Sequence, residues 1–114
     1  MTILRDPLKV EALTQMAATR FGDLVKAVVD IERELIAVDA ELHADLEAVL
    51  LQDGSLQKSL WGINLYPEFI GGDAFIEFDS LINIRPSQGN RSREVRDDAI
   101  RTTITRVVTR WIVR

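Results

Sequence analysis

Four apolar stretches of this chain fall into two adjacent pairs, and each pair is joined by a short link. "DLVKAVVDI" and "ELIAVDA" place strands near residues 24–31 and 34–39, separated only by Glu32 and Arg33. "LWGINLYP" and "FIEFDSLINIR" are separated by the loop "EFIGGDA". A parallel crossover needs a dozen or more residues, so neighbours joined this closely must run antiparallel.

Three other segments repeat their apolar residues at helical spacing. In "RDPLKVEALTQMAATRFGD", Asp6 suits an N-cap and Pro7 the first helical position. Val10, Leu13, Met16, Ala17 and Phe21 form the apolar face, and Gly22 is placed to end it. A second helix is expected near 40–52, with Leu42, Leu46, Val49 and Leu50 on one face and Gly54 as the stop. The last helix is expected near 92–112, burying Val95, Ala99, Ile100, Ile104, Val107, Val108 and Trp111. The order is α-β-β-α-β-β-α. The fold class is α+β: one domain over 1–114, with a four-stranded, mostly antiparallel sheet and helices packed on one face. Within "FIEFDSLINIR", Ile76, Phe78, Ser80, Ile82 and Ile84 share one face of a strand. Glu77, Asp79, Leu81, Asn83 and Arg85 share the other. The segment reads as one long strand, or as two with a bend near Asp79 and Ser80.

At 114 residues, 46% hydrophobic and 28% charged, the chain has the composition of a soluble domain able to bury a core. The absence of cysteine excludes disulfides, thiolate metal sites and a Cys nucleophile, and suits a cytoplasmic location. The first residues have no secretory pattern, and no apolar run approaches the roughly 18 residues of a membrane span. The net charge of −4 hides an asymmetry. Residues 85–114 carry eight Arg against Glu94, Asp97 and Asp98, while the preceding chain is acidic. Such a stretch pairs with its own acidic sheet, with a second copy of the chain, or with a polyanion. Nucleic acid is disfavoured by the acidic total.

"ELHADLE", "LWGINLYP", "VKAVVDIE" and "IEFDSLINIRPSQGNRSR" together resemble a group of small bacterial proteins catalogued as a domain of unknown function. The resemblance runs from about Phe21 to Val113. It implies no reaction, cofactor or ligand, and the "FIGG" stretch reads as loop variation.

Two constellations carry candidate chemistry. In the turn "RPSQGNRSR", Pro86 stops a strand, Gly89 takes a positive φ, and Asn90 or Ser92 caps the last helix. Arg85, Arg91 and Arg93 beside a helix N-terminus make an anion pocket of Arg85, Gly89, Asn90, Arg91, Ser92 and Arg93. The alternative is a well-made turn whose Arg side chains pair with Asp30, Glu32, Glu77 or Asp79. No phosphate-loop or dinucleotide fingerprint is present.

The second constellation is His43, with Asp39 and Glu47 four residues to either side, and Glu77 and Asp79 on a strand. These are the candidate catalytic residues for acid–base work, with a divalent metal as an option and no recognised ligand spacing. Asn64, Tyr66, Glu77, Asp79, Asn83 and Arg85 are expected to line one polar sheet surface. Ser80 lacks a nucleophile motif. Trp111 reads as core, with a dimer contact as the alternative. Arg106, Arg110 and Arg114 stand at i, i+4 spacing on another stripe and could clamp an acidic partner. The leading expectation is a binding protein, homo-oligomeric, taking a small anionic ligand at the turn. A His43-based enzyme and a nucleic-acid-associated protein are the alternatives.

Overall fold

In the computed structural model, which describes all 114 residues, the two central strands are buried on both faces. Chain order is β1 (Thr2–Ile3), β2 (Leu8–Lys9), α1 (Val10–Arg20), β3 (Val25–Asp30), β4 (Leu35–Val38), α2 (His43–Gln52), β5 (Leu60–Leu65), β6 (Ile76–Glu77), α3 (Asp98–Trp111) and β7 (Ile112–Val113). The main sheet has five strands in the order β1-β4-β3-β5-β6, all antiparallel. A separate parallel pair joins β2 to β7. The sheet thus has one strand more than expected. The addition, β1, is a two-residue edge piece, too short to show any period in sequence.

Helices cover both faces of the sheet, not one. The larger core packs α1 (Leu13, Ala17) and α3 (Ile104, Val107, Val108, Trp111) against Val25, Ala27, Val29, Ile36, Val38, Trp61, Ile63 and Leu65. The smaller core packs α2 (Leu46, Leu50) against Val28, Ala37 and Leu60 on the opposite face. Successive side chains of a strand point to opposite faces, so the consecutive apolar pairs in "AVV" and "LIAV" already require two covers.

Helix α1 starts later than Asp6 would set it. Leu8 and Lys9 are drawn into the parallel pair with Ile112 and Val113, and the N-cap position falls on Lys9, which makes no side-chain cap. The turn from β3 to β4 needs no Gly. The Asp30 carboxylate accepts the N–H groups of Glu32 and Arg33, and Glu34 takes a positive φ of 54°.

The expected long strand over 75–85 is not one. It leaves the ladder after Glu77 and makes an isolated bridge from Asp79 to Glu94. From extended Ser80 it bends away into a 3-10 turn over Leu81–Asn83, with Ser80 Oγ accepting the Ile82 N–H. Ile76 and Phe78 therefore pack on the α1/α3 face, while Ile82 packs on the α2 face. The last helix starts at Asp98, not near 92. Its cap is Asp97, whose carboxylate accepts from the Ala99 and Ile100 N–H groups, so neither Asn90 nor Ser92 caps it.

Candidate functional site

The turn at 85–94 is held together from inside. Gly89 has the expected left-handed φ of 82°, closing a 3-10 turn over Pro86–Gln88. Arg85 and Asn90 form a short antiparallel bridge. The Arg85 guanidinium donates to the carbonyls of Gln57 and Leu60 and lies 4.3 Å from the Trp61 ring centroid. Burial lowers its pKa, with Glu47 opposing. The Asn90 amide donates to the carbonyls of Asn83, Ser92 and Glu94 and accepts the Arg96 N–H. Arg93 pairs with Asp79 at 2.8 Å, and Ser92 Oγ accepts from Arg96. Arg91 alone is exposed and without a partner. The first amides of α3 are occupied by Asp97. Of the six residues expected to hold an anion, the structure leaves one guanidinium free to do so.

His43, Asn64, Tyr66, Glu77 and Asp79 do come together, on the α2 face beside the edge strand. Register places Lys26, Asn64 and Glu77 in one cross-strand row. Asn64 Nδ2 donates to Glu77 Oε1 at 2.8 Å and to the Asp79 carbonyl at 3.3 Å. Tyr66 donates to Glu77 Oε1 at 3.2 Å. Burial, then Glu77, raises the Tyr66 pKa. Asn83 and Arg85 depart from this row with the 3-10 turn. The i±4 neighbours of His43 do not join it. Asp39 lies outside α2, has a positive φ of 74° and pairs with Arg20 at 2.8 Å. Glu47 Oε2 is buried without a partner.

His43 turns inward. Its Nε2 lies 2.8 Å from the Ile63 carbonyl, which can only accept, so Nε2 carries the proton. Asn64 stands between the ring and the Glu77 carboxylate, while the Asp79 carboxylate is taken by Arg93. No three His, Asp or Glu side chains converge as a metal-binding group.

Burial pushes the His43 pKa below its usual 6.5, with the Ile63 bond and Asn64 opposing and Lys26 adding to the shift. The unfolded chain therefore binds the proton more tightly than the folded protein. Stability is expected to fall as pH drops below about 6.5, with a slope of at most ~1.4 kcal/mol per pH unit from this group. Urea unfolding of wild type and His43→Gln between about pH 5 and pH 8 measures it. The wild-type curve should lose more stability on acidification than the variant, and parallel curves would contradict this burial argument.

One surface cleft has no counterpart among the sites expected from the sequence. Helix α3 packs chiefly beneath β3 and β4, so the edge strand β6 overhangs it. The overhang leaves a cleft of about 610 Å3 between residues 70–78 and the C-terminal half of α3. Ile70, Phe75, Ile76 and Phe78 form one wall, and Thr105, Thr109, Ile112 and Val113 form the other. Gly71, Gly72, Asp73 and Arg114 complete it. A polar cleft of about 480 Å3 adjoins it at Phe78, where Arg101 stacks 4.6 Å from the ring centroid. The cleft gave little signal because its apolar residues look like core and its two walls are far apart in sequence. The paired glycines of "FIGG" and the i, i+4 pair Thr105 and Thr109 were the available hints.

Fold and surface together define the class: a small α+β domain with a helix-sandwiched antiparallel sheet, open at one edge. The chain belongs to the family described as protein of unknown function DUF5674, whose model matches residues 2–111. No curated protein and no solved structure matches it. Membership agrees with the resemblance carried by the sequence motifs and brings no reaction with it.

Proposed function

We propose that this is a cytosolic ligand-binding protein and that its ligand lies in the cleft between residues 70–78 and α3. One observation carries this reading. The cleft is open, about 610 Å3, half apolar in its lining residues, and supplied with few polar groups. Small-molecule sites have this size and character. The His43 cluster supports an enzyme less well, because the ring's Nε2 is committed to a backbone carbonyl. Self-association belongs to the same reading. Exposed Leu42, Leu56, Leu81 and Ile84 offer apolar surface for it, and sedimentation measures it.

Thr109 lines the cleft from an exposed helical position, so Thr109→Trp should fill the cleft without disturbing the core. In thermal unfolding against a panel of apolar small molecules, a ligand at a hundred times its Kd adds about 2.7 kcal/mol, a shift of several degrees. That shift is expected in wild type and lost in Thr109→Trp. A ligand that stabilises both equally binds elsewhere. Stabilisation by inorganic phosphate that disappears in Arg91→Ala would return the site to the turn.

A further inference from the structure

We infer that the cleft selects an amphipathic carboxylate, a molecule with an apolar body and one anionic head, and that Arg114 receives the head. The inference rests on the cleft as binding site and adds the chemistry of its ligand. Arg114 is tethered at two points. Its backbone follows β7, which the parallel pair with β2 ties down, and its Nη2 donates to the Ile70 carbonyl at 3.2 Å. Between these points the guanidinium lies across Gly71. A Cβ on Gly71 would run into Nη2, so a side chain there would push the guanidinium aside. Gly71 also has a φ of 89°, which disfavours any side chain there.

A guanidinium offers five N–H donors in a planar fork that matches a carboxylate. Only the Ile70 carbonyl uses them here, and no carboxylate of the protein pairs with Arg114. The arginines elsewhere on and around α3 are differently disposed. Arg106 pairs with Glu34 at 3.1 Å, Arg93 pairs with Asp79, and Arg110 lies over Trp111. The cleft therefore joins an oriented, unpaired cation to an apolar trough floored by Phe75, Ile76 and Ile112. Thr105 and Thr109 are uncharged, and their hydroxyl protons are already donated to backbone carbonyls one turn back. Asp73 shares the cleft and is also unpaired, so an amine head is the competing class and belongs in the test.

The probes are octanoate, octanamide, octanol and octylammonium, each titrated into the intact protein by calorimetry below the concentration at which it forms micelles. The variants are Arg114→Gln, Gly71→Ala and Thr109→Trp. Octanoate is expected to bind at least about tenfold more tightly than octanamide or octanol, as loss of one charge-assisted pair implies. Arg114→Gln should erase that preference and leave octanol binding unchanged, and Gly71→Ala, which displaces the guanidinium, should do the same. Equal binding of octanoate and octanamide, or a preference for octylammonium, overturns the carboxylate assignment and leaves the cleft in place. If no probe binds, or if Thr109→Trp changes no probe's affinity, the cleft itself is not the site and both readings fall. Circular dichroism of each variant separates lost binding from lost folding.

Discussion

Replacing Asn83 with alanine is expected to destabilise the protein by about 2–6 kcal/mol, enough to unfold much of a typical small domain. Asn83 is fully buried, and its amide makes the hydrogen bonds that a neighbouring strand would otherwise make. The pairing of Asn64 with Glu77 would, if continued, set Gly62 opposite Asp79. The chain bends away before that, leaving the N–H and C=O of Gly62 facing no backbone on that side. Asn83 fills the position: Oδ1 accepts the Gly62 N–H at 2.8 Å, and Nδ2 donates to the Gly62 carbonyl at 2.9 Å and to the Arg93 carbonyl at 3.0 Å. Alanine leaves both Gly62 groups buried and unsatisfied, each costing roughly 1–3 kcal/mol. Asn83→Asp keeps the shape but cannot donate, and it aims a carboxylate at two carbonyl oxygens. It should be about as damaging as alanine at neutral pH. Urea unfolding of both variants decides the matter, and a loss below about 1 kcal/mol in each would refute the strand-substitute role.

This amide explains what the sequence showed and what it concealed. Long periodic segments were readable. Leu13 and Ala17 of α1, Leu46 and Leu50 of α2, Ile104, Val107, Val108 and Trp111 of α3, and strands β3, β4 and β5 are buried where apolar spacing puts them. Phe21, Leu42 and Ala99, expected on the same helix faces, are exposed because they lie at or beyond the ends of the helices. Two-residue strands carry no period, so β1, β2 and β7 were invisible, and β6 was read only as part of a longer strand. "FIEFDSLINIR" alternated beyond the end of its strand because Ile82 serves a different core from Ile76 and Phe78. Nothing local distinguishes an isoleucine facing α3 from one facing α2. The start of α3 was misplaced for a related reason. Asn90, Ser92 and Asp97 are all competent caps, and the choice is made by tertiary bonds that employ the Asn90 amide elsewhere.

The candidate sites divide along the same line. The excess arginines of "RPSQGNRSR" looked like anion ligands because a sequence does not show carbonyls. In the fold, Arg85 serves the carbonyls of Gln57 and Leu60. The meeting of His43 with Asn64 depends on α2 crossing β5, and helical spacing pointed instead to Asp39 and Glu47. The polar row of Asn64, Tyr66, Glu77 and Asp79 was legible because strand alternation does hold there, up to the bend.

Gly62→Ala is expected to destabilise by roughly 1–3 kcal/mol from overpacking alone, and further because the segment it displaces carries Asn83. A Cβ at residue 62 would meet Ser80 Cβ and Oγ at 2.6 Å and Ile82 Cγ1 at 3.1 Å. Ser80 Cβ is fixed to its backbone, so no rotamer change relieves the clash and the turn over Leu81–Asn83 must lift. Lifting it withdraws the Asn83 amide from Gly62. The requirement for glycine here is one of space: Gly62 lies within the regular strand β5, and its φ is not positive. Space can be restored from the other side, because Ser80→Gly removes both atoms of the clash. Ser80→Gly alone should destabilise modestly, through loss of the Ser80 Oγ bond to the Ile82 N–H and a more flexible bend. Combined with Gly62→Ala, it should recover about 1–2 kcal/mol relative to the sum of the single changes. A double mutant that loses the full sum would mean that the bend yields without resistance. The close approach of Gly62 to Ser80 would then not be what seats Asn83 against the sheet.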